Sequence, residues 1–313
     1  MHSFVVDSSA FDVVTIAGTD AERFLQGQLT CDVAAVTDNH WVLGSCCNNK
    51  GRVLATFVLV RQGDRFSLCM MHGTGVLLVD ALKRFLPFYK CTMQLQDGTC
   101  HLSGLAGDVA LQQRTRFNTQ TDERALLLAA DDSGDWLCWL GGQTPRALLW
   151  SNAPLSSEAD ATASLPTSAN LEQWEALGLL QGQFPFHPKD SGEFTPQELQ
   201  LDVNGYVSFT KGCYTGQEIV ARLHYRGKPK KQLFLLQLAT APSSGQVEIK
   251  DVDGQVVGSL LLCRQLGQSW LALVQLPVAF ALVPTQLLCA AAAVTAGCAF
   301  ESTVIQLSSL VFP

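Results

Sequence analysis

The 313-residue chain is 47% hydrophobic and 16% charged, a globular composition with enough core material for one large or two to three ordinary domains. Its net charge of -7 and pI near 5.3 exclude a surface that is basic overall, so a polyanionic partner must be met by a local patch. Eleven cysteines, an odd set with no Cys-x-x-Cys pair and mostly apolar neighbours, indicate neither a disulfide framework nor a zinc site, and no stable metal is expected.

The opening "MHSFVVDSSAFDVV" has neither a basic run followed by an apolar stretch nor an Arg-rich transit character, which points to a cytoplasmic protein. "FDVVTIAG" reads as a short strand. "GTDAERFLQGQLTCDV" then offers Thr19 and Glu22 at capping-box spacing, with Ala21, Phe24 and Leu25 on one helical face. "HWVLGSCCNNKGRVLATFVLVRQGDRFSLCMM" alternates or runs apolar in short pieces split by Asn-Asn-Lys-Gly and Gln-Gly-Asp, the pattern of an antiparallel meander. "GVLLVDALKRFLPFY" restores helical period, and Pro87 is expected to end that helix.

The Ser-, Ala-, Thr- and Pro-rich stretch from Ser151 to Asn170 reads as a connection between lobes, and "LEQWEALGLLQG" after it as a helix. "QFPFHPKDSGEFTPQEL", with Pro185, Pro188 and Pro196, implies an irregular wall. Beyond Lys231 come short strands with frequent turns, as in a small barrel or sandwich. The uncharged run from Trp270 to Phe300 is long enough to span a membrane, but Pro277, Pro284 and polar Gln275, Thr285 and Gln286 suit buried strands better, so no membrane is expected. The expected fold class is α+β with a β-rich C-terminal domain.

The stretch "SFTKGCYTGQEIVARLHYRGKPKK" carries the chemistry. "YVSF" before and within it reads as a strand, Thr215 and Glu218 repeat capping-box spacing, and Ile219, Val220 and Leu223 give the helix an apolar face. Cys213 therefore precedes a helix N-terminus. The helix dipole and the charge of Lys211 both favour thiolate, and Gly212 and Gly216 allow a turn and close approach of another molecule. The other reading of Cys213 is a packed loop residue. His187 and His224, the nearby histidines, do not make a recognisable cysteine-hydrolase pair.

Together with "GTDAERFLQGQLTCDV" and "FTPQELQLDVNGYVSFT", the string "KGCYTGQEIVAR" resembles the YgfZ family of folate-binding proteins, relatives of the aminomethyltransferase (T-protein) of the glycine cleavage system. The resemblance implies a three-lobed fold around a central channel holding tetrahydrofolate, with 1-231 as the folate-binding region (two lobes, joined near 151-170) and 232-313 as a barrel-like C-terminal domain. It also implies a role in assembling or repairing iron-sulfur proteins, including tRNA-modifying methylthiotransferases. Cys213 takes the family's motif cysteine and, with Lys211, the reactive role; Gly212, Thr215 and Gly216 shape the loop. Folate contacts fall on Phe11, where the family's best-known member has Trp, and on Trp174, Tyr214, Gln217, Glu218 and Arg222. Trp174 reads equally well as a core residue of its helix. Gln200 stands where the family more often has Asn.

One departure separates the relatives. Aminomethyltransferases carry an acid just after the glycine of their hairpin, where this chain has Arg52 to Thr56, so the general acid/base of glycine-cleavage chemistry is missing. Five of the ten residues from Arg222 to Lys231 are basic: Arg222, Arg226, Lys228, Lys230 and Lys231. A solvated face, a dock for a folate polyglutamate tail, and a dock for RNA or an acidic protein are the readings, the tail being favoured. Three functions remain open: an iron-sulfur assembly or repair factor using Cys213, a folate-dependent one-carbon transferase, and a non-catalytic folate-sensing scaffold. The expected partners are folate and iron-sulfur client or assembly proteins, with no DNA and with any effect on tRNA exerted indirectly.

Overall fold

The computed structural model describes residues 3–96, 101–117, 128–131, 134–152, 167–227, 230–238, 242, 248–250, 255–278, 288–289 and 304–305. Lys228, most of the 151-170 connection and most of the uncharged run beyond Val278 lie outside the described residues. Among the described residues no helix is long and apolar enough to cross a membrane.

The first two strands go to different sheets. β1 (Phe4–Val6) pairs antiparallel with β7 (His101–Ala106), whereas β2 (Phe11–Ala17) pairs with β5 (Arg65–Met71). The first sheet adds β3 (Val42–Cys47), β4 (Val53–Gln62) and β6 (Thr92–Leu95) in the order β3-β4-β5-β2-β6, and contains the expected meander with its turn at Asn48 to Gly51. Both faces of this sheet are buried, which is why its strands read as nearly continuous apolar runs. Val14, Ile16, Leu59 and Phe66 pack under α1 (Ala21–Gln26) and α2 (Thr74–Leu82), while Val13, Val53, Val60 and Cys69 face the central core.

The second sheet, order β1-β7-β10-β9-β8, is completed by β8 (Leu128–Ala130), β9 (Trp136–Gly141) and β10 (Arg146–Ser151), with α3 (Asp108–Arg116) on its outer side. Trp136 and Trp150 stack at 5.6 Å on the inner face. Trp41, fully buried on the first lobe, donates its indole N–H to the Trp139 carbonyl of β9 at 3.1 Å and so ties the two lobes together. The third sheet contains β11 (Lys231–Leu238), β12 (Glu248–Lys250), β13 (Val256–Leu266), β14 (Ser269–Pro277), β15 (Leu288–Cys289) and β16 (Val304–Ile305), in the order β15-β12-β13-β14-β11-β16. These described strands form an open sheet and not the closed barrel that the turn spacing suggested. Leu233, Leu235, Leu271 and Leu273 point from it into the central core, against α4 (Thr167–Leu180).

Three local expectations are corrected. Asp20, not Thr19, is the N-cap of α1, and its carboxylate accepts from Lys90 N at 2.8 Å while Glu22 pairs with Arg61, so no capping box forms. α2 stops at Leu82, five residues short of Pro87, and Pro87 opens a separate 3-10 turn over Leu86–Phe88. "YVSF" is not a strand: Ser208 N bonds to Thr30 O across a loop, with no ladder partner on either side.

Replacing Trp41 with Ala removes a fully buried indole and its inter-lobe hydrogen bond. A loss of about 3–5 kcal/mol in unfolding free energy is expected in chemical denaturation.

Candidate functional site

The cysteine loop is held from beneath by a short turn of the first lobe, residues Gln26 to Cys31. Lys211, buried, donates from Nζ to the carbonyls of Gln26 (2.8 Å), Leu29 (2.7 Å) and Cys31 (2.7 Å). Burial pushes its pKa down to about 8, so it still carries its proton at neutral pH and all three donors are in use. Thr30 Oγ1 reaches Tyr206 O at 2.6 Å, Thr215 N reaches Gly27 O at 3.2 Å, and Thr215 Oγ1 meets Gln28 Oε1 at 3.0 Å. Thr215 therefore docks the loop and does not cap the next helix. That helix, α5 (Gln217–Arg226), begins after Gly216, whose φ of +84° and contact with Asn48 O (2.4 Å from where a Cβ would lie) leave no room for a side chain.

Cys213 stands out of this clamp, exposed and without a hydrogen-bond partner among the described residues. Cys31, Cys46, Cys47, Cys69 and Cys138 are all buried, and burial pushes their thiols up, to about 12 for Cys31 and Cys46. Cys213 is the one exposed thiol among the described residues, and the N-terminus of α5 lies four residues on. Lys211 is placed otherwise than the sequence suggested: its ammonium is turned into the turn carbonyls and acts as the loop's anchor. The two histidines are also engaged elsewhere, His187 with Glu175 at 3.1 Å and His224 stacked on Phe209 at 3.7 Å.

Phe11 and Trp174, far apart in sequence, meet edge-to-face at 5.9 Å. Gly104 of β7 makes the meeting possible, since a Cβ there would fall 3.1 Å from Phe11 and 3.2 Å from Trp174. They line a largely apolar, open-mouthed cavity of about 90 Å³, walled by Phe57, Met70, Phe184 and Phe186. Tyr206 also lines it, so the residue gripped by Thr30 links the cysteine loop to the cavity wall.

Arg146 enters the same cavity and is 1% exposed. A β-bulge at the Arg146/Ala147 step of the β9–β10 pairing breaks the alternation at the point where β10 starts. Its guanidinium lies over the Trp174 ring at 4.6 Å and donates to Gln181 Oε1, Gln183 Oε1 and, at 3.3 Å, the Trp174 carbonyl. Burial lowers its pKa to about 9, and no carboxylate among the described residues pairs with it. The carboxylate that does line the cavity, Glu175, is held by Arg264 of β13 and by His187. Arg146, Gln183 and Glu175 escaped the sequence reading. The available signal was "RALLW", a strand wholly apolar except for a charge at its first position.

The remaining candidate residues lie outside this cavity. Tyr214 is buried beneath the loop with the Lys211 ammonium 5.3 Å from its ring centre. Gln217 is half-buried at the start of α5; Glu218, Arg222 and Arg226 line a separate open depression on its outer face. Arg222, Arg226, Lys230 and Lys231 are exposed and form no ion pair among the described residues. Gln200 is the only non-glycine with positive φ (55°) among the described residues. Asn tolerates that conformation better than Gln, and here the Gln200 side-chain amide donates to Leu233 O at 3.2 Å.

Lys211→Met would leave three turn carbonyls without their common donor. A destabilisation of about 3 kcal/mol is expected by denaturant titration, with faster proteolysis in the 206–216 loop as its local sign.

No protein-family model matches the chain. It is 29% identical over 271 residues to the tRNA-modifying protein YgfZ of Colwellia psychrerythraea, covering 86% of this chain and 78% of that protein. It is 31% identical over 249 residues to the protein of that name from Shigella boydii serotype 4 (76% and 74%) and 31% over 259 residues to that from Klebsiella pneumoniae (81% and 79%). Among solved structures, the glycine cleavage system aminomethyltransferase T of Bartonella henselae superposes with a TM-score of 0.67 over 91% of this chain and 81% of its own, at 15% identity, which establishes a common fold.

Proposed function

The chain belongs to the family of the tRNA-modifying protein YgfZ, and from that premise we propose that it binds tetrahydrofolate in the Phe11–Trp174 cavity and uses Cys213 to support iron-sulfur proteins in the cytoplasm. The observation that carries the folate half is the cavity wall itself. It offers aromatic edges and faces to a flat ring, and a buried guanidinium and a side-chain amide to that ring's polar rim. Phe11, Trp174 and Arg146 are the residues that would hold the cofactor, which when bound supplies a redox- and one-carbon-active ring.

For the thiol half, the support is contrast. The loop is anchored by hydrogen bonds on both sides of Cys213, yet the thiol itself is left in solvent. A rigid loop presenting an accessible thiol suits transient covalent or sulfur-handling chemistry on another protein. Clients that are iron-sulfur enzymes such as methylthiotransferases would connect this chemistry to modified tRNA without direct RNA contact.

Two experiments test these halves. In cells lacking their own family member, Cys213→Ser is expected to lose rescue of an iron-sulfur-dependent tRNA methylthio modification while the purified variant still binds tetrahydrofolate; full rescue by the serine variant would leave a folate-sensing scaffold as the reading. Trp174→Ala is expected to lose both. The exposed cations beside α5 are proposed to meet a polyglutamate tail: replacing Lys228, Lys230 and Lys231 with Ala should reduce the preference for polyglutamyl over monoglutamyl folate in equilibrium binding, and an unchanged preference would reject that dock.

A further inference from the structure

The cavity's polar rim has a sign. Arg146 has donors only, so the amide oxygens of Gln181 and Gln183 must face it. Turning the Gln183 oxygen to the guanidinium turns its Nε2 away, and that buried nitrogen has no partner among the described residues. A guanidinium and an amide N–H₂ thus stand together in the cavity lining, where Glu175 is the one carboxylate. Gly178, where a Cβ would lie 3.3 Å from Arg146 Nη1, keeps the space beside the guanidinium clear. On the described side of this wall the carboxylate nearest in the lining, Glu175, is already shared between Arg264 and His187.

Burying a cation against neutral acceptors alone is costly, and an orphaned amide donor adds to that cost. Both are relieved by a ligand that brings an electron-rich oxygen to the wall. We propose that Arg146 and Gln183 form an acceptor-selecting wall that admits a ring bearing a carbonyl or enolate oxygen and rejects the same ring bearing an amino group there. This deepens the folate reading and rests on it: within the pteridine, the wall distinguishes the 4-oxo from the 4-amino compound. Shape does not separate these two, because oxygen and amino group are nearly isosteric. What separates them is that two donors cannot satisfy each other, and a site built around a hydrogen bond rejects the ligand that lacks its complement.

The test is equilibrium binding of tetrahydrofolate and its 4-amino-4-deoxy counterpart to the full-length wild type, Gln183→Met and Arg146→Met, each checked for cooperative unfolding. The wild type is expected to prefer the 4-oxo compound by about tenfold or more. Gln183→Met, which keeps the volume and removes the amide donor, should narrow that ratio severalfold, and Arg146→Met should bring it near unity. If Arg146→Met does not fold, Gln183→Met and the wild-type ratio decide the matter. Equal affinity of the wild type for both compounds, or an unchanged ratio in Gln183→Met, would overturn the proposal while leaving folate binding intact. Binding of neither compound by folded wild type would instead remove the folate reading, and this selectivity with it.

Discussion

The cysteine loop of this molecule hangs on one ammonium group. Lys211 closes three carbonyls of the turn after α1, and the same turn grips the chain again at Tyr206 and Thr215, on either side of the cysteine. A single basic residue thereby converts an irregular stretch without strand or helix into a rigid mount. The geometry has a cost in desolvation, offset because every proton of the ammonium meets an oxygen. A lysine does this where arginine would not: its compact charge fits a ring of carbonyls on three different residues, and a planar fork does not.

The mount also couples two places that the sequence separates. Tyr206 is held by Thr30 at one end of the loop and lines the aromatic cavity at its other side, so the exposed thiol and the cavity share a structural wall. On α4, consecutive residues Trp174 and Glu175 divide the work. The first faces Phe11 and the Arg146 guanidinium; the second binds Arg264 from the third sheet. Helix α4 is therefore the spine on which all three sheets converge.

The parts legible in the sequence were those whose signal is local. The β2 strand, the three-strand meander, α4 and α5 follow from runs of apolar residues and from Gly-rich turns, and the K-G-C-Y-x-G-Q-E string, with the two stretches quoted beside it, carried the family resemblance. The second sheet was not foreseen, because "HLSGLA", "WLCWLG" and "RALLWS" are buried on both faces and lack the alternation that marks a half-exposed strand. The two capping boxes failed for a shared reason: Thr19 and Thr215 have the right spacing, but tertiary partners, a backbone amide at Lys90 and a side chain at Gln28, decide where the nearby polar groups point. The meeting of Phe11 with Trp174 came through the resemblance; the chain alone gave no pattern linking residues so distant. Arg146 shows the limit from the other side, a charge whose meaning depends wholly on what surrounds it.

The strand exchange at the N-terminus carries its own consequence for synthesis. β1 is made well before its partner β7, which begins about a hundred residues later, with Phe4 opposite Ala106. Meanwhile β2 to β6 have all they need to close the first sheet around it. The opening residues must therefore wait, unpaired and apolar, beside an assembling domain, and slot in as an edge strand only when the second lobe emerges. So short a strand makes a poor template for pairing with another chain, which limits the hazard of that delay. The lobes therefore do not mature one after the other like beads: a strand made before the first sheet is completed only by the second.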